Sequence, residues 1–220
     1  MFSSRAGRVL VDPLLTEAFG AGRVGRVYPP RRLNLASMPP VDAVFFSHEH
    51  DDHFSVPTLA RLDRRVPVYL SCRASTAARQ LLAEMGFSVT LLRPGAPVTV
   101  GALEVHAFAP DHHQHDNLDE WDVLPLLVRD LDGHGSFFSS IDVDACARVD
   151  ARLLDFDAPT VWCATNNATT WSFMKAGEVL DEGPDDTAAA AGPLLARYRA
   201  LRAAGREPSL TLVAGNGFSF

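Results

Sequence analysis

Short runs of aliphatic and β-branched residues alternate along this chain with longer stretches in which apolar residues recur every three or four positions. The short runs predict strands and the longer stretches predict helices. Strands are expected at 9–12, 43–47, 68–71, 89–92, 98–100, 103–109, 123–128, 136–141, 160–164 and 210–213. Helices are expected at 56–62, 75–85, 145–154 and 193–204, the last with Pro193 in its first turn. This mixed order predicts an α/β layer fold.

Composition narrows the class of protein. A chain of 220 residues that is 47% hydrophobic fits one globular domain over residues 1–220 with a substantial core. The net charge of -7 argues against nucleic acid or an anionic membrane surface as the main partner, so a small-molecule substrate is expected. Because no apolar run approaches the ~20 residues that cross a bilayer, we expect no membrane span and a cytoplasmic location. The oligomeric state is not predicted.

Residues 47–53 read Ser-His-Glu-His-Asp-Asp-His and follow a wholly apolar strand. In an extended segment alternate side chains point the same way, so His48 and His50 can share one ion. Asp52 and His53 come after the bend and can reach a second ion nearby. Imidazole and carboxylate ligands suit zinc, iron, manganese or nickel. The spacing therefore predicts a metal site, whereas a merely solvated loop would not need three histidines and an aspartate in this order.

The motif resembles the His-x-His-x-Asp-His signature of the metallo-β-lactamase superfamily. Three other segments resemble its lactonase-like branch in the same order: a strand that ends in Asp12-Pro13, a Pro-x-x-His at residues 110–113, and an apolar strand that ends in Asp142. The resemblance implies an αββα four-layer sandwich in which loops at one edge of two facing sheets carry the metals.

The resemblance also implies a set of metal ligands. The first ion would be held by His48, His50 and His113. The second would be held or oriented by Asp52, His53 and Asp142, with Asp142 shared between the ions and Asp144 as its substitute. Asp52 is also the candidate catalytic residue, as an acceptor of a hydrogen bond from the attacking water.

The chain departs from the superfamily pattern in two places. Glu120 competes with His113 for the third-ligand position, as in the di-iron variant of this fold, and carboxylate-rich sites favour iron or manganese. No histidine follows Asp142, and Asn216 stands where the superfamily brings its last one. Either the second metal is bound without that ligand, or the sequence is a truncated piece of a longer protein.

Three functions follow from these residues and the resemblance. The first is a metal-dependent hydrolase that uses one or two divalent ions, with zinc favoured over iron and manganese, to activate water against an ester, lactone or phosphoester. The second is a non-haem di-iron oxygenase on the same fold. The third is a non-catalytic accessory subunit with a partial metal site. A fold shared by hydrolases, oxygenases and nucleases supports the substrate class by analogy alone.

Overall fold

The computed structural model describes residues 1–5, 7–20, 25–27, 33–109, 123–143, 147–165, 187–214 and 218–219. The strands in these ranges are β1 (Phe2–Ser4), β2 (Gly7–Val11), β3 (Ala18–Phe19), β4 (Gly25–Val27), β5 (Ala43–Phe46), β6 (Val68–Ser71), β7 (Val89–Leu92), β8 (Val98–Val100), β9 (Leu103–Ala107), β10 (Leu126–Asp130), β11 (Ser136–Ser140), β12 (Val161–Thr165), β13 (Leu210–Ala214) and β14 (Phe218–Ser219). The helices are α1 (Val56–Leu59), α2 (Thr76–Glu84), α3 (Ala147–Leu153) and α4 (Thr187–Ala203), and a 3₁₀ turn covers Leu35–Ser37. Every predicted strand and helix is present; β6, β7 and β8 have the predicted ends, and the other elements have shifted ends.

The strands form two large sheets and one small one. The first has the order β1-β2-β5-β6-β7, and its β2, β5, β6 and β7 run parallel. The second has the order β13-β12-β11-β10-β9-β8, with β11, β12 and β13 parallel to one another and β8, β9 and β10 joined by antiparallel pairs. A small sheet, β14-β4-β3, lies apart from them. Its strands and β1 escape prediction because runs of two or three residues carry no readable periodicity.

The two large sheets face each other across an apolar layer. Val9, Ala43 and Phe45 of the first sheet belong to one buried cluster with Val105 and Leu126 of the second. Phe45 is fully buried, and its ring stacks on that of Tyr69 with 4.7 Å between centroids. Strands covered on both faces are expected to be apolar throughout, and β5 reads Ala-Val-Phe-Phe.

Helices cover the outer face of each large sheet. Leu59 of α1 and Leu82 of α2 pack with Val44 on the first sheet. Val149 of α3 and Leu201 of α4 pack with residues of the second sheet. The layers are therefore helix, sheet, sheet and helix, and the predicted αββα sandwich is confirmed.

The last helix begins earlier than predicted. It starts at Thr187, so Pro193 lies inside it and the prediction of a first-turn proline is wrong. The alanine run at 188–191 explains the extension, because alanine has the highest helix propensity and offsets part of the cost of an interior proline. No helix in the described ranges is both long and apolar enough to span a bilayer.

Three chain segments leave the sheets at the same edge. β2 and β5 are parallel, with Val11 opposite Phe45, so Asp12 and the loop at 47–53 leave the first sheet side by side. β11 of the second sheet ends at Ser140, two residues before Asp142. This arrangement brings residues from distant parts of the chain to one place.

Candidate metal centre

The loop at 47–53, the motif loop below, folds back on itself directly after β5. The backbone N–H groups of His53 and Phe54 both donate to the carbonyl of His50, at 2.8 and 2.6 Å. This turn brings three imidazoles together. The ring centroid of His48 lies 4.4 Å from that of His50 and 4.2 Å from that of His53.

The carboxylate of Asp142 faces all three imidazoles. Its Oδ2 atom lies 3.4 Å from Nε2 of His48, 3.9 Å from Nδ1 of His50 and 3.0 Å from Nε2 of His53. Asp52 joins from the other side, with Oδ2 3.6 Å from the same Nε2 of His53. Two triads contain Asp142, namely His48–His50–Asp142 and Asp52–His53–Asp142, and within each the ligand atoms lie within 4.8 Å of one another. The Asp142 carboxylate is therefore common to both triads.

Asp12 orients the histidines from behind. Its carboxylate accepts hydrogen bonds from the backbone N–H of Ser47 at 2.7 Å and from the Ser47 hydroxyl at 2.6 Å. Because that hydroxyl gives its proton to Asp12, its oxygen accepts one from Nδ1 of His48, 2.8 Å away. Nδ1 of His53 lies 3.3 Å from the same carboxylate. His48 therefore keeps a proton on Nδ1 and turns Nε2 towards the site, and the charge of Asp12 favours the same tautomer of His53. Second-sphere groups select the ligating nitrogen in this way.

Two of these aspartates adopt an uncommon backbone conformation. Asp12 has φ of 43° and Asp142 has φ of 57°, and no other non-glycine residue in the described ranges has a positive φ. Aspartate and asparagine tolerate this left-handed region best, and such residues concentrate at functional sites. Here the conformation turns the chain at the end of β2 and just after β11.

Burial and hydrogen bonding shift the pKa values of the site in opposite directions. Burial lowers the pKa of His48, which favours its neutral, ligating form. Burial alone would raise the pKa of Asp142, but its close polar contacts with the three histidines outweigh burial and hold that pKa far below its usual range. Burial would lower the pKa of His53, but its hydrogen bonds to Asp12 and Asp142 raise it well above the ordinary value. Without metal, the protonated form of His53 is therefore favoured.

The structure brings together the four predicted motif residues and Asp142, but it does not test every sequence prediction. His113, Glu120, Asp144 and Asn216 lie outside the described residues, so the identity of the third ligand stays a prediction.

Two other histidines lie away from this centre. His106 binds Glu104 on β9 with 2.7 Å between Nε2 and Oε1. His134 is exposed in the turn between β10 and β11.

Sequence reasoning left Asp12 out of the candidate site. Its position after the first core strand was visible, yet its contacts with Ser47 and His53 depend on the pairing of β2 with β5. With Asp12 included, the described site offers three imidazoles and three carboxylates, a donor set that fits one or two divalent ions.

Comparison with known proteins gives a family and several similar structures. The profile of the beta-lactamase superfamily domain matches residues 7–192. A possible metal-dependent hydrolase from Veillonella parvula superposes with a TM-score of 0.60 at 15% identity, over 98% of this chain and 92% of that one. Isothiocyanate hydrolase from Delia radicum gut bacteria gives 0.56 at 17% identity, over 96% of this chain and 91% of that one.

A third similar structure has different chemistry. CmlA, a diiron β-hydroxylase from Streptomyces venezuelae, gives a TM-score of 0.55 at 23% identity, over 80% of this chain and 35% of that one. At these identities the three structures establish the fold alone. No curated protein sequence matches. Because the family profile spans most of the sequence and the αββα layers agree with it, the chain belongs to the metallo-β-lactamase superfamily.

Proposed function

We propose that this protein is a metal-dependent hydrolase with a dinuclear centre that acts on an ester, lactone or phosphoester. The observation that carries the proposal is the shared carboxylate of Asp142. One oxygen, Oδ2, faces ligand nitrogens of both triads, and a carboxylate in this position can bridge a pair of ions.

Each residue of the centre has a definite role in this proposal. His48 and His50 hold the first ion, with His113 as the predicted third ligand. Asp52 and His53 hold the second ion, and Asp142 contacts both. When bound, the ions lower the pKa of a water and polarise the oxygen of the bond to be broken. Asp52 accepts a hydrogen bond from the attacking water, while Asp12 keeps His53 in the tautomer that ligates through Nε2.

The hydrolase proposal is tested on protein purified without added metal. We expect one or two equivalents of a divalent ion per chain, with zinc favoured, and hydrolysis of at least one substrate in a panel of aryl esters, lactones and phosphodiesters. Chelation and His50→Ala are both expected to abolish activity, whereas the exposed His134→Ala serves as the matched control and keeps it. Full activity in metal-free protein would contradict the proposal.

A second function, a non-haem di-iron oxygenase, is favoured by the carboxylates of the centre. Asp52 and Asp142 supply carboxylate oxygens beside the histidines, the predicted ligand Glu120 would add another, and oxygen-rich sites suit iron better than zinc. Elemental analysis separates the two proposals, since the oxygenase requires iron and an oxo-bridge absorption band in the oxidised protein. A protein that binds metal but hydrolyses no substrate in the panel and shows no oxo-bridge band would support an accessory subunit instead.

A further inference from the structure

We propose that Glu49 is a positioning residue that anchors the motif loop to the N-terminus of α2 and thereby sets the orientation of the two histidines beside it. Glu49 lies between His48 and His50 and belongs to neither ligand group. The proposal rests on the proposed metal centre, but it assigns a new role within it.

The carboxylate of Glu49 makes two hydrogen bonds to one residue. Its Oε2 accepts from the backbone N–H of Ser75 at 3.0 Å, and its Oε1 accepts from the Ser75 hydroxyl at 2.8 Å. Ser75 is the N-cap of α2, and its hydroxyl oxygen accepts from the backbone N–H of Ala78 at 3.1 Å. The carboxylate therefore continues the cap of the helix, at the end where the helix dipole favours a negative charge.

Helix α2, to which Glu49 is hydrogen-bonded through Ser75, is fixed in place by the core. Ala78 and Leu82 of α2 are 6% and 0% exposed and pack on the first sheet. β6, which leads into α2, is paired in parallel with β5, which leads into the motif loop. The Glu49–Ser75 contact thus ties two neighbouring strand ends together at the edge that carries the metal centre.

The position of Glu49 in the loop explains how it acts on the histidines. Successive side chains of an extended segment point to opposite sides, so a carboxylate held on one side turns both neighbouring imidazoles to the other. Asp12 holds the start of the loop through Ser47, and the turn at the His50 carbonyl holds its end. Between these two points, Glu49 supplies a side-chain anchor to a different element.

The test compares Glu49→Ala, Ser75→Ala and the double variant with Glu84→Ala. Glu84 is the matched control because it is an exposed carboxylate at the other end of α2, bonded to Gln80 at 2.8 Å. Zn²⁺ affinity is measured by competition with a chromophoric chelator, and the visible spectrum of the Co²⁺-substituted protein reports ligand geometry. We expect Glu49→Ala to lower Zn²⁺ affinity roughly tenfold to a hundredfold.

The remaining variants distinguish positioning from simple capping. If Glu49 acts through Ser75, the losses in Zn²⁺ affinity are not additive in the double variant. Ser75→Thr keeps the hydroxyl and is expected to retain most of the Zn²⁺ affinity that Ser75→Ala loses. If Glu49→Ala does not fold, Glu49→Gln takes its place in the comparison. Lower thermal stability with unchanged Zn²⁺ affinity and an unchanged Co²⁺ spectrum would reduce Glu49 to a helix cap and overturn the proposal.

A measurement on metal-free protein separates this inference from the proposed function. Side-chain ¹H–¹⁵N spectra report the environment of each imidazole, and we expect Glu49→Ala to shift the signals of His48 and His50 while Glu84→Ala leaves them in place. A wild type that binds zinc but hydrolyses nothing contradicts the hydrolase and leaves Glu49 positioning intact. Unchanged imidazole signals in Glu49→Ala contradict the positioning role whatever the wild type catalyses.

Discussion

Replacing Asp12 with asparagine removes the negative charge behind two histidines while preserving the shape of the side chain. Asparagine is the right substitute because Asp12 has φ of 43°, a conformation that asparagine tolerates and that alanine adopts only with strain. The effect of Asp12→Asn can therefore be assigned to the lost charge and its hydrogen bonds, without a contribution from backbone strain.

The size of the effect follows from the contacts of Asp12. Ser47 donates two hydrogen bonds to a buried, ionised carboxylate, and hydrogen bonds to charged groups contribute about 1.5–3 kcal/mol each. The amide oxygen of asparagine retains a neutral acceptor worth about 1 kcal/mol. We therefore expect the metal-free protein to lose about 2–5 kcal/mol of its free energy of unfolding. Zinc affinity is expected to fall roughly tenfold to a hundredfold, since His53 loses the group that fixes its tautomer.

Urea unfolding of the metal-free protein measures the first quantity, and chelator competition measures the second. Asp42→Asn is the control, because Asp42 accepts a hydrogen bond from the backbone N–H of Arg8 at 2.8 Å in an exposed position away from the motif loop. It should lose no more than about 1 kcal/mol and keep its zinc affinity. Equal losses in the two variants, or wild-type zinc affinity in Asp12→Asn, would refute the role assigned to Asp12.

Three further predictions concern pH, the layer between the two sheets and the buried Trp162 of β12. The pKa of His53 is raised in the folded, metal-free protein, so its contribution to stability is complete below the ordinary value of 6.5 and is lost as pH rises through the folded value. Zinc binding just above pH 6.5 should then release a proton from His53. Calorimetry in buffers of different ionisation enthalpy measures this release, and binding without proton release would contradict the prediction. Phe45→Ala empties a fully buried site between the sheets and is expected to cost about 3–5 kcal/mol in urea unfolding; a cost below about 1 kcal/mol would mean that the sheets repack. Trp162→Phe removes the N–H that donates to the Ser140 hydroxyl at 2.9 Å and is expected to cost about 1–3 kcal/mol, and less than that when Ser140 is already alanine; an equal cost in both backgrounds would mean that this hydrogen bond contributes nothing.

The fold could be predicted from the sequence because most of its strands and helices are marked by local patterns of apolar and polar residues. Buried parallel strands such as β5 are apolar throughout, and α2 carries a helical apolar face between an N-capping Ser75 and Gly86 with φ of 86°. The start of α4 was not predicted, because an interior proline disfavours a helix and the helix-forming alanine run before Pro193 outweighs that cost. Short strands were missed because they owe their conformation to pairing and not to their own residues.

The site was readable only in part. The motif loop is local, so its three histidines and Asp52 could be identified from spacing. Asp142 lies 89 positions after His53, and it was identified only because it resembles the aspartate that ends an apolar strand in the superfamily. Its distance of 3.0 Å from His53 is a property of how the two sheets face each other.

The sequence by itself therefore determined the layer fold, the family resemblance and the residue types that meet a metal, because these depend on periodicity and spacing over a few positions. Only the tertiary structure decided how close Asp142 lies to each histidine, which ring nitrogen of His48 faces the site, and that Asp12 and Glu49 hold the motif loop from two sides. The physical reason is that these contacts join residues whose approach is set by strand pairing and sheet packing, and no local pattern of residues encodes a distance across the sandwich.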